Sequence, residues 1–228
     1  MKKAVTFGEI MLRLSPEGRK RFVQADRFDA VYGGSEANVA IALGNMGIKA
    51  DFLTALPDSP LGDAAENFVR SFGVNTKGTV RKDGRLGIYF LEKGASQRPS
   101  KVVYDREGSV FSRIEKGEID FKKAFERADW FHFSGITPAL SRQVALITKE
   151  AVCTAKEMGL TVSCDLNYRA ALWSTEQAAE VLRPLISMTD VLIANENHLK
   201  MLFGIGEGKN LTCAQAAKSA AEVFDLRQ

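Results

Sequence analysis

The sequence predicts an α/β protein whose doubly wound, mainly parallel sheet is flanked by helices and carries a small antiparallel β lid. Three observations support this prediction. Short apolar segments typical of buried strands alternate with amphipathic helical segments along most of the 228 residues. Two stretches interrupt this alternation with strand patterns alone. The composition, 45% hydrophobic and 26% charged, suits one large domain with a single core.

The first half of the chain contains the clearest boundary signals. The apolar segment 4–7 predicts a buried strand, and 11–31 has the looser alternation of a half-exposed hairpin. Ser35 can cap the first helix, and the run Asp58-Ser59-Pro60 supplies a cap and a first-turn proline for the second. Between these two helices, the segment 52–56 predicts a short strand.

The rest of the chain returns to the alternation after two further strands at 86–92 and 101–105, which a polar turn separates. The later helices are expected near 121–128, at 142–158, after 175, toward 203 and from about 212 to 226. The later strands are expected at 130–133, 160–165 and 191–194. We therefore expect a core formed by about 1–10, 33–75 and 110–228, and a lid formed by about 11–32 and 76–109.

Several functional classes find no support in the composition. The net charge of +3 comes from interspersed charges, and the densest basic run, Arg19-Lys20-Arg21, is too short for a nucleic-acid surface. No apolar run approaches the roughly 20 residues that span a bilayer. The three cysteines are far apart, which fits a reducing cytoplasm. We expect a cytoplasmic protein that binds neither nucleic acid nor membrane. The only histidines, His132 and His198, give little support to a histidine metal site, and we expect His132 in the core.

The first candidate site lies where a strand leads into the first helix. Gly33 and Gly34 permit a tight turn that exposes backbone amides at a helix start, where polar or anionic groups bind well. A plain turn with a serine cap is the alternative. Asn38, a polar residue one turn into an otherwise apolar helix, favours a binding role.

The second candidate site lies on the predicted lid. Tyr89, Tyr104 and Arg106 present two hydroxyls and a guanidinium from neighbouring strand segments. Taken alone, such residues are more often packed or solvated than ligand-binding. A lid that closes on a small acid would use a planar arginine for its carboxylate and tyrosines for its hydroxyls.

Two further candidates follow strands of the predicted core, where doubly wound folds place ligands. Asn167 and Arg169 come directly after the strand at 160–165, with an ion pair or capping cluster as the alternative. Asn195 and Glu196 follow the strand at 191–194, and the carboxylate could order a metal-bound water. Helix capping by Asn195 is the alternative.

Taken in order, five segments resemble the ribokinase-like carbohydrate kinases, and most of all their 2-keto-3-deoxygluconate kinase branch. They are GGSEANVAIALGNMG at 33–47, DSPLGD at 58–63, YDREGS at 104–109, HFSGITPALS at 132–141 and DLNYRAALWS at 165–174. The resemblance implies a ribokinase-like fold and Mg²⁺-dependent transfer of a phosphoryl group from ATP to the 6-hydroxyl of 2-keto-3-deoxygluconate. The product would be 2-keto-3-deoxy-6-phosphogluconate.

The resemblance also implies roles for the candidate residues. The acceptor would be held by Gly33, Gly34, Asn38, Tyr89, Tyr104, Arg106 and Arg169. The nucleotide would face Asn167, Arg169 and Asn195, and a metal-bound water would face Glu196. By the same resemblance, we expect a homodimer that pairs through the lid.

Two departures from the family pattern stand out. The family's Gly-Ala-Gly-Asp segment, whose aspartate acts as the base for the acceptor hydroxyl, does not occur in these 228 residues. We therefore expect the catalytic aspartate beyond Gln228, a longer natural protein and little turnover from this chain. His198 stands where the family usually has a glutamate after Asn195. The alternatives are an inert sugar-acid-binding protein and a kinase for fructose or another hexose, and the galactonate epimer is also an open acceptor.

Overall fold

The computed structural model describes residues 2–208 and 211–226, and within these ranges strands and helices alternate as predicted. The strands are β1 (Lys3–Phe7), β2 (Met11–Pro16), β3 (Phe28–Gly33), β4 (Lys49–Leu53), β5 (Ala55–Pro57), β6 (Val80–Lys82), β7 (Ile88–Glu92), β8 (Lys101–Asp105), β9 (Trp130–Ser134), β10 (Thr161–Asp165) and β11 (Val191–Ile193). The helices are α1 (Ser35–Asn45), α2 (Pro60–Arg70), α3 (Phe121–Ala124), α4 (Arg142–Glu157), α5 (Thr175–Ile186), α6 (Glu196–Phe203) and α7 (Cys213–Phe224). None of the helices in the described ranges is long and apolar enough to cross a membrane.

Five strands form a parallel central sheet in the order β11-β10-β9-β1-β4. In the register, Val5 of β1 lies beside Phe131 of β9, which lies beside Val162 of β10. The predicted doubly wound, mainly parallel sheet is thus confirmed. Because all five strands point the same way, the loops that follow them meet at one edge of the sheet.

One face of the central sheet is packed against α4 and α5. The side chains that alternate toward this face are fully buried, as are those of the covering helices. The main contributors are Val5, Phe7, Phe131, Phe133, Val162, Val144, Ile147, Ala151 and Leu182. This dense aromatic and aliphatic core fixes the strand ends from which the loops start.

The opposite face is covered by α1 on one half only. There, Ala37 and Ala40 of α1 pack on Ala50 and Phe52 of β4, and α2 extends the same cluster. Over β9, β10 and β11 the described residues leave a groove of about 670 Å³ between α1 and the edge strand. Trp130 on this face is 37% exposed and Ile193 is 53% exposed, so a large apolar surface lies open.

A second sheet forms the lid, in the order β3-β2-β7-β8, and we call it the lid sheet. It contains two antiparallel hairpin pairs, β2 with β3 and β7 with β8, as the strand patterns predicted. The structure adds that a parallel pair, β2 with β7, joins them. The sequence placed the second lid segment from residue 76 onward. In the structure, β6 pairs with β5 and not with a strand of the lid sheet. The predicted strand at 52–56 is likewise divided between β4 and β5.

His132 is buried in β9, as its place in an apolar strand predicted. Its Nδ1 lies 2.9 Å from the hydroxyl of Ser163 on the neighbouring strand. Its Nε2 is buried and has no hydrogen-bond partner among the residues that the structure describes. Burial lowers the pKa of His132 to about 4, so the imidazole is neutral near neutral pH.

The buried imidazole makes the stability of the fold depend on pH. Because the pKa is lower in the folded protein than in the unfolded chain, the unfolded chain binds more protons once the pH falls below the unfolded value. This one group should therefore lower the free energy of unfolding by about 2 kcal/mol between about pH 7.5 and about pH 5. Urea unfolding at both pH values should show a smaller loss for His132→Asn, which preserves a polar group near Ser163. Equal losses would contradict the prediction.

Candidate functional site

The turn from β3 into α1 depends on the absence of a side chain at Gly34. The backbone of Gly34 is extended, with φ at −167°, so no left-handed conformation requires glycine here. A Cβ atom at this position would lie only 2.0 Å from the carbonyl oxygen of Glu9. Glycine is therefore required by the close approach of two backbone segments, which brings the start of α1 against the end of β1.

Ser35 does not cap α1, contrary to the sequence prediction. Gly34 occupies the N-cap position, and Ser35 is the first helical residue. The hydroxyl of Ser35 instead accepts a hydrogen bond of 3.2 Å from the side-chain amide of Asn167. The first turn of α1 is thus joined to the loop that follows β10, so two of the predicted site segments lie together.

Four predicted acceptor residues lie along one continuous surface between α1 and the lid sheet. A Cβ atom on Gly33 would lie 3.5 Å from Asn38 Oδ1 and 3.9 Å from the hydroxyl of Tyr89. Tyr89 pairs across the lid sheet with Tyr104, and their ring centroids are 5.8 Å apart. A side-chain atom at Gly33 would therefore touch both groups, so Gly33, Asn38, Tyr89 and Tyr104 are neighbours in space.

Arg106 extends this surface beyond Tyr104. Its guanidinium carbon lies 5.9 Å from the centroid of the Tyr104 ring. Its Nη2 forms an ion pair with Glu9 Oε2, while the other oxygen of Glu9 accepts a 2.6 Å hydrogen bond from the Ser109 hydroxyl. The side chains of Glu9 and Arg106 are only 3% and 12% exposed. The arginine that the sequence placed in the lid is therefore anchored to Glu9 at the end of a central strand.

Glu9 is a site residue that sequence reasoning missed. It follows β1 at the carboxyl end of a central strand, which is where doubly wound folds place functional groups. That position was the signal from which the sequence could have indicated Glu9. Its partner Arg106 is 97 residues away along the chain, so no local pattern indicates the pair.

Glu36 is a second missed residue, and it is buried in the first turn of α1. Its Oε1 accepts hydrogen bonds from the backbone amide of Ser134 at 2.8 Å and from the hydroxyl of Thr137 at 2.7 Å. Burial raises the pKa of Glu36, although the bonds from Thr137 and Ser134 act in the opposite direction. The carboxylate fixes the loop after β9 to α1, and its place in an apolar helix was the signal that could have revealed it.

The loop after β10 presents Arg169 toward solvent. Asn167 adopts a left-handed conformation, with φ at 35°, and its backbone amide donates a 3.1 Å hydrogen bond to Asp165 Oδ1. Burial raises the pKa of Asp165, and the nearby charge of Arg169 partly offsets this effect. Arg169 is exposed, so its guanidinium is available to a ligand at this edge of the sheet.

Asn195 caps α6, which was the alternative reading of this residue. Its Oδ1 accepts a 2.8 Å hydrogen bond from the backbone amide of His198. Glu196 is exposed in the first turn of the same helix. Within the described ranges, no three His, Cys, Asp or Glu side chains are grouped to hold a metal ion. Roles for Asn195 in nucleotide binding and for Glu196 in metal binding therefore stay predictions.

Together these features indicate an α/β protein with a candidate site between a parallel sheet and a second β-sheet. A parallel α/β sheet ends in polar loops, and a separate β-sheet places tyrosines and a paired arginine across from the glycine turn that starts α1. Such an arrangement is typical of α/β proteins that bind a small molecule at the carboxyl ends of the strands.

Comparison with known proteins identifies the family. The profile described as "pfkB family carbohydrate kinase" matches residues 1–224, and the chain belongs to this family. A 2-dehydro-3-deoxygalactonokinase from Haloferax volcanii is 39% identical over 196 residues, which cover 86% of this chain and 61% of the relative. The chain thus spans less than two-thirds of the length of this curated relative.

Solved structures agree with the family assignment. The crystal structure of a 2-dehydro-3-deoxygluconokinase from Thermotoga maritima has a TM-score of 0.95 at 52% identity and covers 99% of this chain and 70% of its own. An uncharacterized sugar kinase from Pyrococcus horikoshii, solved in complex with ATP, has a TM-score of 0.79 at 21% identity and covers 92% of this chain and 68% of its own. The second likeness concerns the fold alone.

Proposed function

We propose that this chain supplies the acceptor site and lid of an ATP-dependent kinase that phosphorylates the 6-hydroxyl of 2-keto-3-deoxygluconate. The product is 2-keto-3-deoxy-6-phosphogluconate. The observation that carries the proposal is the placement of Arg106, which lies at the end of a surface of hydrogen-bonding groups and matches the carboxylate of a sugar acid. The names of the Haloferax volcanii and Thermotoga maritima relatives also support a keto-deoxy sugar acid.

The acceptor would lie along the surface that runs from Gly33 to Arg106. The hydroxyls of Tyr89 and Tyr104 and the amide of Asn38 suit the hydroxyls of the sugar, because each can donate and accept hydrogen bonds. The absence of a side chain at Gly33 would let the ligand approach the backbone, while Gly34 would keep the start of α1 close to this surface, since the main chain of Glu9 fills the space beside it. Arg169, exposed at the end of β10, would touch the acceptor from the core side.

The phosphates of ATP would face the loops after β10 and β11. Arg169 offers an exposed cation there, Asn167 shapes the loop by its contact with Ser35, and Asn195 lies at the start of α6. Membership of the pfkB carbohydrate kinase family supports the nucleotide assignment. Mg²⁺ would neutralise charge on the phosphates, with Glu196 as the nearby carboxylate that could order one of its waters. Most ligands of the ion would then be phosphate oxygens and water, and Glu196 would be the contribution of this chain.

The positive charge of Arg106 should give the site its preference for a sugar acid over a neutral analogue. We expect Arg106→Gln to weaken binding of 2-keto-3-deoxygluconate about tenfold or more, because charge-assisted hydrogen bonds contribute about 1.5–3 kcal/mol. Binding of its neutral methyl ester should change little. Calorimetry measures both.

Arg98→Gln is the matched control for this experiment, since Arg98 also pairs with a lid glutamate, Glu92, at 2.8 Å but lies away from the site. It should leave both affinities unchanged. Equal affinity of the unsubstituted chain for acid and ester, or binding of fructose but not of the acid, would contradict the proposal. Tight acid binding that ATP analogues leave unaltered would favour an inert binding protein.

Turnover by these 228 residues should be low. We propose that the base for the acceptor hydroxyl belongs to a Gly-Ala-Gly-Asp segment, which this sequence does not contain. A coupled ADP-release assay should therefore show acid-dependent turnover at least about a hundredfold below that of the Thermotoga maritima enzyme under the same conditions. Comparable turnover would show that a residue within the 228 performs this step.

We also propose that two copies pair through the lid sheet. β8 is its edge strand, and Val102 and Val103 on it are 43% and 48% exposed. Light scattering should give twice the monomer mass, and Val103→Lys should give a monomer. Leu146→Lys, at an exposed position of α4, is the control that should leave the dimer intact. A monomeric unsubstituted protein would overturn this pairing.

A further inference from the structure

We propose that Glu9 is a positioning residue that holds Arg106 in place for the carboxylate of the acceptor and so sets the preference of the site for acids. This inference rests on the proposed function, because it takes Arg106 as the group that meets the carboxylate. Glu9 acts through Arg106 and does not itself need to touch the ligand.

Glu9 lies where the chain leaves the core for the lid sheet. β1 ends at Phe7 and β2 begins at Met11, so Glu9 belongs to the short crossing between them. Arg106 follows β8, and its Nη2 pairs with Glu9 Oε2. The hydroxyl of Ser109 donates to the second oxygen of Glu9 at 2.6 Å. The carboxylate of Glu9, at the end of the central strand, therefore binds both Arg106 and Ser109, which lie at the end of the lid segment.

The pair leaves part of the guanidinium for a ligand. Arginine carries five N–H donors, and Glu9 occupies the edge at Nη2. Nε of Arg106 is buried and has no hydrogen-bond partner among the described residues. The ring of Tyr104 lies against the guanidinium at 5.9 Å. Glu9 and Tyr104 thus restrict the orientation of Arg106, and Glu9 contacts only one of the nitrogens of the guanidinium.

Restricting Arg106 before the ligand arrives favours binding. Ordering a free arginine side chain costs up to about 2 kcal/mol in rotamer entropy. Here the side chain is 12% exposed and already paired, so this cost does not fall on ligand binding. The charges of Glu9 and Arg106 also compensate each other, which makes a buried guanidinium tolerable before a ligand binds.

Gly87 provides an independent way to move Glu9. A Cβ atom on Gly87 would lie 2.7 Å from Glu9 Oε1 and 3.1 Å from Met11 Cγ. The carboxylate therefore packs against bare backbone, and a methyl group would displace it. Gly87→Ala should disturb the same ion pair without changing any charge.

The test measures binding of 2-keto-3-deoxygluconate and its neutral methyl ester by calorimetry. We expect Glu9→Gln and Gly87→Ala each to weaken acid binding about tenfold and ester binding less than about twofold. Glu92→Gln, which breaks a more exposed lid pair with Arg98 away from the site, is the control and should change neither. In the Arg106→Gln background, Glu9→Gln should have no further effect on the acid, because Glu9 acts through Arg106.

A second readout does not depend on the sugar. In ¹⁵N NMR spectra, the Nε–H signal of Arg106 should be protected from solvent exchange and should lose that protection in Glu9→Gln. The inference is overturned if the unsubstituted chain prefers the acid and Glu9→Gln leaves both this preference and the Arg106 signal unchanged. It is also overturned if Glu9→Gln weakens acid and ester equally or still acts in the Arg106→Gln background.

Failure of the proposed function gives a different result. The unsubstituted chain would then show no preference for the acid, while the Arg106 signal would still respond to Glu9→Gln. That outcome would overturn the role of Glu9 in acid selection and keep only its role in joining the lid segment to the core.

Discussion

The close approach of backbone and side chains at the end of β1 is the constraint on which the site depends. A Cβ atom at Gly34 would meet the carbonyl oxygen of Glu9, and one at Gly8 would lie 2.1 Å from Glu36 Oε2. Only glycine at both positions lets the start of α1 lie directly against the central strand. The surface that begins at Gly33, the crossing to the lid sheet and the loop after β9 all meet at this point because no side chain separates them.

Two buried carboxylates surround this point, and each is matched to a different segment. Glu9 pairs with the charge of Arg106 and accepts a hydrogen bond from Ser109 on the lid side. Glu36 receives hydrogen bonds from Ser134 and Thr137 on the core side. A buried carboxylate is costly unless such partners are present, so each one enforces the position of the segment that supplies its partners. The site is assembled by long-range polar contacts on a frame that apolar packing holds.

The frame was predictable from the sequence, because central strands that are buried on both faces leave apolar runs and a helix that buries one face leaves a periodic pattern. The apolar segments at β1, β9 and β10 and the helical pattern of α4 are examples. Candidate residues at strand ends followed from the parallel topology. Glu9 and Glu36 did not, since their partners are 97 to 101 residues away. The Ser35 cap failed for a related reason: a tertiary hydrogen bond from Asn167 replaces the local one.

The crossing at Glu9 also bears on how lids can be exchanged between relatives. Gly34 accommodates the main chain of Glu9, and Gly87 accommodates its carboxylate, so three positions far apart in the sequence share one small volume. A lid transplanted from a relative would fit this core only if the residues at these positions were exchanged together with it. We therefore regard positions 9, 34, 87 and 106 as one module for protein engineering, although residues 9 and 34 belong to the core and residues 87 and 106 to the lid.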